Sequence, residues 1–197
     1  MSRARSSLRE AKALGVAGSA LLLLGSLMLL SLLAAASGVI SIVVGLLCIG
    51  LALKRLSDAS GRPRILRDFL AGVAVGAAGA VTALSLGLAT LIDIAKHDRS
   101  LSIIAAASAA AAALVALWLS LSVSGWLLKK SLDGAAAATG VKLFSTAGLL
   151  YFIGALLVVT LIGAPIIVAA TVLALAAFLS MPMEVERAEE SGPRAEP

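Results

Sequence analysis

The stretch ALGVAGSALLLLGSLMLLSLLAAASGVISIVVGLLCIGLAL, residues 13–53, decides the fold class, because its only ionisable side chain is the thiol of Cys48. A helix needs about 20 apolar residues to cross the hydrocarbon core of a bilayer, so an apolar run of about twice that length crosses it twice. The segment Ala34 to Gly38 offers a Ser-Gly turn in the middle of the run. The sequence therefore predicts a hairpin of two transmembrane helices, at about 14–34 and 38–54.

A second uncharged stretch, LFSTAGLLYFIGALLVVTLIGAPIIVAATVLALAAFLSMPM at residues 143–183, has the same design. Gly163-Ala164-Pro165 interrupts it in the middle, and proline suits the first turn of the following helix because an N–H would have no partner there. The prediction is a second hairpin, with transmembrane helices at about 143–163 and 165–181.

Two single apolar runs between these hairpins give transmembrane helices at about 69–92 and 101–128. All six spans are predicted as helices and not as barrel strands, because their apolar residues are continuous and show no alternation of period two. The run at 101–128 is longer than a perpendicular crossing requires, so we expect this helix to tilt or to project from the inner face. The fold class is therefore an all-α, polytopic membrane bundle of six transmembrane helices in three hairpins.

The composition agrees with a bilayer environment. Of the 197 residues, 60% are hydrophobic and 14% are charged, and the mean hydropathy is +1.07. Soluble domains are about half apolar and about one quarter charged. A water-soluble fold of this size is therefore excluded.

The distribution of Lys and Arg predicts the orientation of the chain. Fourteen of the 16 lie in the N-terminal segment, the 54–68 loop, the 129–142 segment and the C-terminal tail, and only Lys96 and Arg99 lie on the other side. Because cytoplasmic segments are enriched in Lys and Arg, both termini are predicted to be cytoplasmic. An odd number of spans would scatter these basic segments over both faces, so the charges also favour six spans.

The ends of the chain are predicted to lie outside the bilayer. Residues 1–7 form a cytoplasmic N-terminal tail, and a Ser7–Glu10 capping box predicts that the first helix begins near Leu8. The membrane domain covers residues 8–183. The acidic segment 184–197 lacks aromatic residues and is predicted to be a disordered cytoplasmic tail.

A cleaved secretory signal is an alternative for the N-terminus, since basic residues and an apolar run precede Ala34-Ala35-Ala36. The apolar core of a signal is about 7 to 15 residues long. Leu14 to Leu33, in contrast, is a full crossing, and another apolar run follows at once. We therefore favour an uncleaved first helix.

The sequence offers no constellation for catalysis or for binding a metal. Cys48 and His97 are the only residues of their types, which excludes an intrachain disulfide, a thiolate cluster and a multi-histidine site. No Ser-His, Cys-His or paired-carboxylate arrangement can be assembled within the spans, and the soluble segments are too short to hold one. We expect neither an enzyme nor a cofactor.

Basic residues next to the inner ends of the spans are candidates for contact with anionic lipid headgroups. They are Arg55, Arg62, Arg64, Arg67, Lys129 and Lys130. The alternative is that they only set topology and solvation. Nucleic acid is not an expected partner, because the basic residues lie in short segments between apolar runs and not on a folded polar surface.

The polar positions inside the predicted spans carry hydroxyl groups and no charge, whereas transporters usually have an ionisable residue at membrane depth. These positions are Thr82, Ser85, Ser120, Ser124, Thr146 and Tyr151. One interpretation is a path for a neutral solute or a weak cation site; the other is that each hydroxyl bonds its own helix or a neighbour. Tyr151 lies too deep for an interfacial belt, so its O–H is expected to find a buried acceptor.

Gly72, Gly76 and Gly79 in the third span form a pattern of small residues that lets a neighbouring helix approach closely. Antiparallel pairing of the third and fourth spans predicts that the bulky Trp118 and Leu119 are level with Gly76. We expect these two side chains to fill the hollow at the glycines, as packing at interior density requires.

Three stretches carry a resemblance to a known family. They are AKALGVAGSALLLLG at 11–25, LALKRLSDASG at 51–61 and KKSLDGAAAATGVKLFSTAGLLYFIGALL at 129–157. With them the chain resembles, from about residue 8 to 181, an archaeal family of multi-span membrane proteins of unknown function. The resemblance implies an archaeal cell membrane, and it supplies no activity and no functional residues.

Two functions are compatible with these features. The first is a non-catalytic structural or interaction protein of the cell membrane, which contacts lipids and packs with itself or with a membrane-protein partner. The alternative is a transporter or channel-like protein for a small neutral or weakly polar solute. An interaction protein is expected to show a solid bundle with small residues facing outward, and a transporter a polar cavity near the midplane.

Overall fold

The computed structural model describes residues 2–29, 35–96, 99–160 and 162–182. The regular structure of these residues is helical throughout, so the prediction of an all-α protein is confirmed for them. The elements are α1 Ser2–Leu29, α2 Ala35–Ser60, α3 Arg64–Lys96, α4 Arg99–Thr139, α5 Leu143–Leu156, a 3₁₀ turn Val158–Thr160 and α6 Gly163–Leu179. The predicted disordered tail at 184–197 lies outside the described residues.

Four of the six helices contain stretches long and apolar enough to cross a membrane. These stretches are Leu8–Met28, Ala36–Ser60, Arg64–Thr90 and Ala107–Thr139. Helices α5 and α6 are also apolar but have only 14 and 17 residues. Helix α5 ends at Leu156 and not near residue 163, because the N–H of Gly163 bonds the carbonyl of Leu157 at 3.1 Å and closes a turn.

Helix α4 continues well beyond its apolar run. Its 41 residues correspond to about 60 Å at 1.5 Å per residue, roughly twice the thickness of a hydrocarbon core. The alanine-rich segment Ala135–Ala138 is thus the last part of α4. Gly140 ends it in the left-handed region, at φ 72°, and its N–H bonds the carbonyl of Ala136 at 2.8 Å.

The first helix begins earlier than the capping box predicts, at Ser2 instead of near Leu8. The prediction was wrong because the segment before Ser7 contains no glycine or proline that would break a helix. Residues 2–7 are therefore helical and continuous with α1, and the apolar stretch of this helix begins at Leu8.

Consecutive helices pack as three hairpins, α1 with α2, α3 with α4 and α5 with α6. Helix α4 also packs on α5, and α1 packs on α6, so the hairpins form one bundle. The α2–α3 connection turns at Gly61, which has a φ of 68°, and the Ser57 hydroxyl donates to the carbonyl of Arg62 at 2.9 Å. This tight turn holds the second hairpin against the first.

The hydrophobic core lies toward the end of the bundle where α1 and α5 begin and α2 and α6 end. Its largest fully buried side chains are Leu53, Leu56, Phe144, Phe178 and Met181. The rings of Phe144 and Phe178 meet edge to face, with centroids 4.9 Å apart. Gly15 of α1 lies against the Phe178 ring, where a Cβ atom would overlap it. The missing side chain therefore lets α1 approach α6.

The glycines of α3 face α4, as predicted, but different residues of α4 meet them. A Cβ atom at Gly79 would overlap Ser120, and one at Gly76 would lie 3.0 Å from the Ser124 hydroxyl oxygen. Trp118 instead points to α5, and Leu119 is 52% exposed. The prediction that these two residues fill the space at the glycines was wrong: the small side chains of Ser120 and Ser124 lie there instead, and they let α3 and α4 approach closely.

Helix α5 covers only part of α4. The indole N–H of Trp118 donates to the carbonyl of Leu156, the last residue of α5, at 3.0 Å. From Trp118, α4 continues for about 28 Å to Arg99. In this outer part the apolar side chains of α3 lie open, and Leu84 is 73% exposed.

Candidate functional site

Three of the predicted hydroxyl positions are bonded within their own helices. Thr82 donates to the carbonyl of Ala78 at 2.9 Å and Ser120 to that of Ala116 at 2.8 Å. Thr146 makes a longer bond of 3.4 Å to the carbonyl of Lys142. In each bond the hydroxyl proton is donated to the carbonyl four residues earlier, so these side chains can offer a solute only acceptor lone pairs.

Ser124 and Tyr151 instead connect neighbouring helices. The buried hydroxyl of Ser124 on α4 donates to the carbonyl of Gly72 on α3 at 2.7 Å. The Tyr151 hydroxyl on α5 lies 2.6 Å from the Thr171 hydroxyl on α6, and Thr171 donates to the carbonyl of Ile167 at 2.9 Å. The buried acceptor expected for Tyr151 is therefore Thr171.

The predicted hydroxyls do not converge on one site. Ser124 joins α3 to α4, whereas Tyr151 joins α5 to α6. Ser85 and Thr82 are exposed on the outer part of α3. The arrangement therefore has the geometry of separate helix contacts.

Sequence reasoning missed Ser131, which extends the contact made by Ser124. Its fully buried hydroxyl donates to the carbonyl of Ile65 on α3 at 2.8 Å. Ser124 and Ser131 are seven residues apart on α4, and their acceptors Gly72 and Ile65 are seven apart on α3. A spacing of seven keeps residues on one helix face, so this period was the signal that could have found the pair.

Ser19 of α1 is a second position that the sequence did not single out. Within the described part of the chain, its hydroxyl is the buried side-chain polar atom that has no hydrogen-bond partner. The hydroxyl of a helical serine can reach the carbonyl four residues earlier by rotating about χ1. We therefore assign no ligand to it.

The predicted lipid-contacting cations fall into two groups. In the first group each charge already has an intramolecular partner. Arg55 pairs with Glu10 of α1, Lys129 bonds the Asp133 carboxylate at 2.8 Å, and the Lys130 ammonium lies 3.7 Å from the centroid of the Trp126 ring. Ser145 of α5 donates to the other oxygen of Asp133 at 2.6 Å, so this carboxylate also joins α4 to α5.

In the second group the cations surround the α2–α3 turn and face solvent. Arg62 and Arg64 are exposed, and within the described residues their guanidinium groups make no ion pair. The Arg67 side chain is 78% exposed. Its Nε atom lies 3.9 Å from Oδ1 of Asp68, which is at the upper limit for an ion pair. Of the six predicted lipid-contacting cations, those at this turn are therefore the most accessible to a headgroup.

No set of three His, Cys, Asp or Glu side chains in the described residues is close enough together to hold a metal ion. The single thiol, Cys48, is half-buried on α2. What the described side chains do offer is a series of hydroxyl bonds between helices and a basic turn.

Comparison with known proteins gives the chain a family but no activity. An uncharacterised protein of Methanocaldococcus jannaschii is 27% identical over 179 residues, which cover 91% of this chain and 96% of that relative. No solved structure matches the chain. The model of a family described as "Protein of unknown function (DUF996)" matches residues 41–172. The archaeal resemblance seen in the sequence is thereby confirmed, and the chain belongs to this family of proteins of unknown function.

Proposed function

We propose that this protein is a multi-pass integral protein of the cell membrane with both termini in the cytoplasm, and that its role is structural or interactive and not catalytic. The observation that carries this proposal is the state of the hydroxyl groups. Thr82 and Ser120 bond carbonyls of their own helices, and Ser124 and Tyr151 each hold two helices together at separate places in the bundle.

The orientation rests on the position of the basic residues. Glu10 and Arg55 pair across the ends of α1 and α2, and the Lys12 ammonium donates to the carbonyl of Met181, just after α6. The start of α1, the end of α2 and the end of α6 are therefore neighbours. Lys and Arg are concentrated at this end, which the positive-inside rule assigns to the cytoplasm.

The chemistry of the exposed and buried groups supports a non-catalytic role. The carboxylates of Glu10 and Asp133 are occupied by Arg55 and by Lys129 with Ser145. Catalysis in a site needs a nucleophile, a base or a metal placed within reach of a substrate. Most hydroxyl groups of the described helices are bonded to carbonyls, and the single thiol is half-buried.

An interaction role is supported by small residues that face outward on the α3–α4 hairpin. Ala107, Ala110, Ala111 and Ala112 of α4 are exposed, and the space around Gly87 of α3 is open. Small residues are enriched where helices contact each other in membranes, because they let two backbones approach. The partner we propose is a second copy of this chain or another membrane protein.

Cysteine crosslinking tests the interaction role. In a Cys48→Ala background, Ala111→Cys places a thiol on the small-residue face, and Leu51→Cys places one on an exposed bulky position of α2 as the control. Oxidation in native membranes is expected to give a crosslinked product for Ala111→Cys and none for Leu51→Cys. Equal crosslinking at both positions would indicate random collision and would contradict the proposal.

Vesicle swelling tests the transport alternative. Reconstituted protein is expected to leave the permeability of liposomes to glycerol and urea at the level of empty liposomes. Flux above that level, lost in Ser124→Ala or Tyr151→Phe, would show that these hydroxyls line a path and would overturn the structural role. Thr82→Ala is the control, because that hydroxyl is exposed and bonded within its own helix.

A further inference from the structure

We infer that α5 and α6 form a re-entrant hairpin, which enters the bilayer from the basic end, turns at mid-depth and returns to the same side. The surface it presents is an apolar tip, described at residues 157–160 and 162. We infer that lipid acyl chains surround this tip. Only α1, α2, α3 and α4 then cross the membrane. The inference rests on the proposed membrane location. The depth of the tip does not depend on which side of the membrane is cytoplasmic.

Helices α5 and α6 are shorter than the hydrocarbon core is thick. Helix α5 has 14 residues and α6 has 17, so they extend about 21 Å and about 25 Å. A hydrocarbon core is about 30 Å thick. Both helices therefore fall short of a crossing, whereas the long apolar stretches of α1 to α4 do not.

The contact of α5 with α4 gives the depth of the tip. Lys129 and Lys130 mark one boundary of the apolar part of α4, and Trp126 beside them is suited to an interfacial belt. A core takes about 20 residues of helix, so its midpoint on α4 lies near Trp118. Trp118 is the residue that bonds the last carbonyl of α5, at 3.0 Å. The end of α5 is therefore at mid-depth.

Hydrogen bonds satisfy part of the backbone at the turn. The carbonyl of Leu157 accepts the N–H of Thr160 at 3.0 Å, the N–H of Gly163 at 3.1 Å and the Thr160 hydroxyl at 2.7 Å. Pro165 occupies the first turn of α6, where an N–H would lack a partner. In hydrocarbon each unsatisfied backbone group costs several kcal/mol, so these bonds lower the cost of interrupting a helix at depth.

The side chains of the tip identify what covers it. Val159 is 62% exposed and Ile162 is 60% exposed, and no charged residue lies between Lys142 and the end of α6. A connection in water would normally carry polar turn residues. Exposed apolar side chains at mid-depth are stable in contact with lipid acyl chains, so we infer that these chains surround the tip.

Depth measurement by electron paramagnetic resonance tests the inference. In a Cys48→Ala background, Val159→Cys and Ile162→Cys are spin-labelled in detergent and returned to liposomes. Labels at the tip are expected to be strongly relaxed by oxygen and hardly affected by a water-soluble nickel chelate. Lys96→Cys and Arg64→Cys, at the two far ends of α3, are the controls and should respond to the chelate.

A tip label that responds to the nickel chelate as strongly as Lys96→Cys would overturn the re-entrant hairpin and restore two full crossings. Failure of the proposed orientation has a different signature. In intact cells, a membrane-impermeant maleimide should label Lys96→Cys and not Arg64→Cys, and the reverse pattern would contradict the cytoplasmic placement of the termini. That reversal would leave the measured depth of Val159 unchanged, so the two failures are separable.

Discussion

The glycines of α3 differ in how much space their neighbours leave. At Gly79 the side chain of Ser120 occupies the position that a Cβ atom would take. At Gly87, eight positions later on the same helix, nothing lies within 4 Å. Close approach of α4 therefore depends on the first glycine and is independent of the second.

These two positions make a matched test of the α3–α4 contact. Gly79→Ala is expected to destabilise the protein by about 1–3 kcal/mol, because added volume in a packed contact forces the helices apart. Gly87→Ala adds the same methyl group in open space and is expected to be neutral or to stabilise by up to about 1 kcal/mol through helix propensity. Thermal unfolding in detergent measures both. Equal losses of stability would contradict the assigned contact.

The Tyr151–Thr171 bond is a second feature that can be tested at single residues. Tyr151→Phe removes one hydroxyl while Thr171 keeps its bond to the carbonyl of Ile167, so no buried group is left unpaired. The expected cost is about 0.6 kcal/mol, the average for such bonds in membranes. A double-mutant cycle with Thr171→Val should show that the two changes are not additive. Strict additivity would mean that the two hydroxyls do not interact.

For individual residues, the sequence identified the polar positions and the glycines, and it predicted a buried acceptor for Tyr151. It could not identify that acceptor, because Thr171 is 20 residues away on the next helix and the pairing depends on where the α5–α6 turn falls. The α3–α4 partners were missed for a related reason. A shift of about one turn in register exchanges Trp118 for Ser120 and Ser124.

Among the elements, the long apolar runs were predicted well and the ends of the helices less well. A run of charge-free residues indicates that a helix is present, but the helix continues until a backbone feature stops it. Helix α4 thus runs on through Lys129 and Lys130 to Gly140, since charged residues outside the bilayer do not end a helix. Residues 143–163 were predicted as one span, yet α5 ends at Leu156, where hydrogen bonds to Leu157 close a turn.

The end of α5 gives a prediction for a whole element. Trp118→Phe leaves the carbonyl of Leu156 without the indole donor, in apolar surroundings, and is expected to destabilise the protein by about 1–3 kcal/mol. Trp126→Phe is the control, because that ring is exposed and can still lie beneath Lys130. Hydrogen exchange measured by mass spectrometry should show faster exchange around the α5–α6 turn in Trp118→Phe alone. Unchanged exchange there would argue against a capping role for Trp118.

Over the whole molecule, the contacts between helices that involve charged side chains lie where the chain is also most basic. The Glu10–Arg55 pair, the Lys12 bond to Met181 and the bond from Ser145 to Asp133 each join two parts of the bundle at or near this side. The strong bias of Lys and Arg was visible in the sequence. The sequence did not show which of those charges are paired and which are free, because pairing depends on which helix ends become neighbours.

The division of the basic residues into paired and free leads to a prediction about lipid binding. Arg62, Arg64 and Arg67 surround the α2–α3 turn as exposed charges, whereas Arg55 is paired with Glu10. A basic residue near an anionic surface contributes about 1 kcal/mol, so replacing all three turn residues by Ser is expected to weaken binding of anionic lipid by roughly 100-fold. Arg55→Ser is the control and should have a much smaller effect, since its charge is already balanced.

Native mass spectrometry of the detergent-purified protein, titrated with phosphatidylglycerol, measures this binding, and phosphatidylcholine serves as the neutral comparison. Salt should reduce the affinity of the unmodified protein and have little effect on the triple variant, because exposed charges are screened over a Debye length of about 8–10 Å. A triple variant that kept the affinity and salt dependence of the unmodified protein would show that these arginines act only in setting topology. The positive-inside rule would then be sufficient to explain their concentration at this turn.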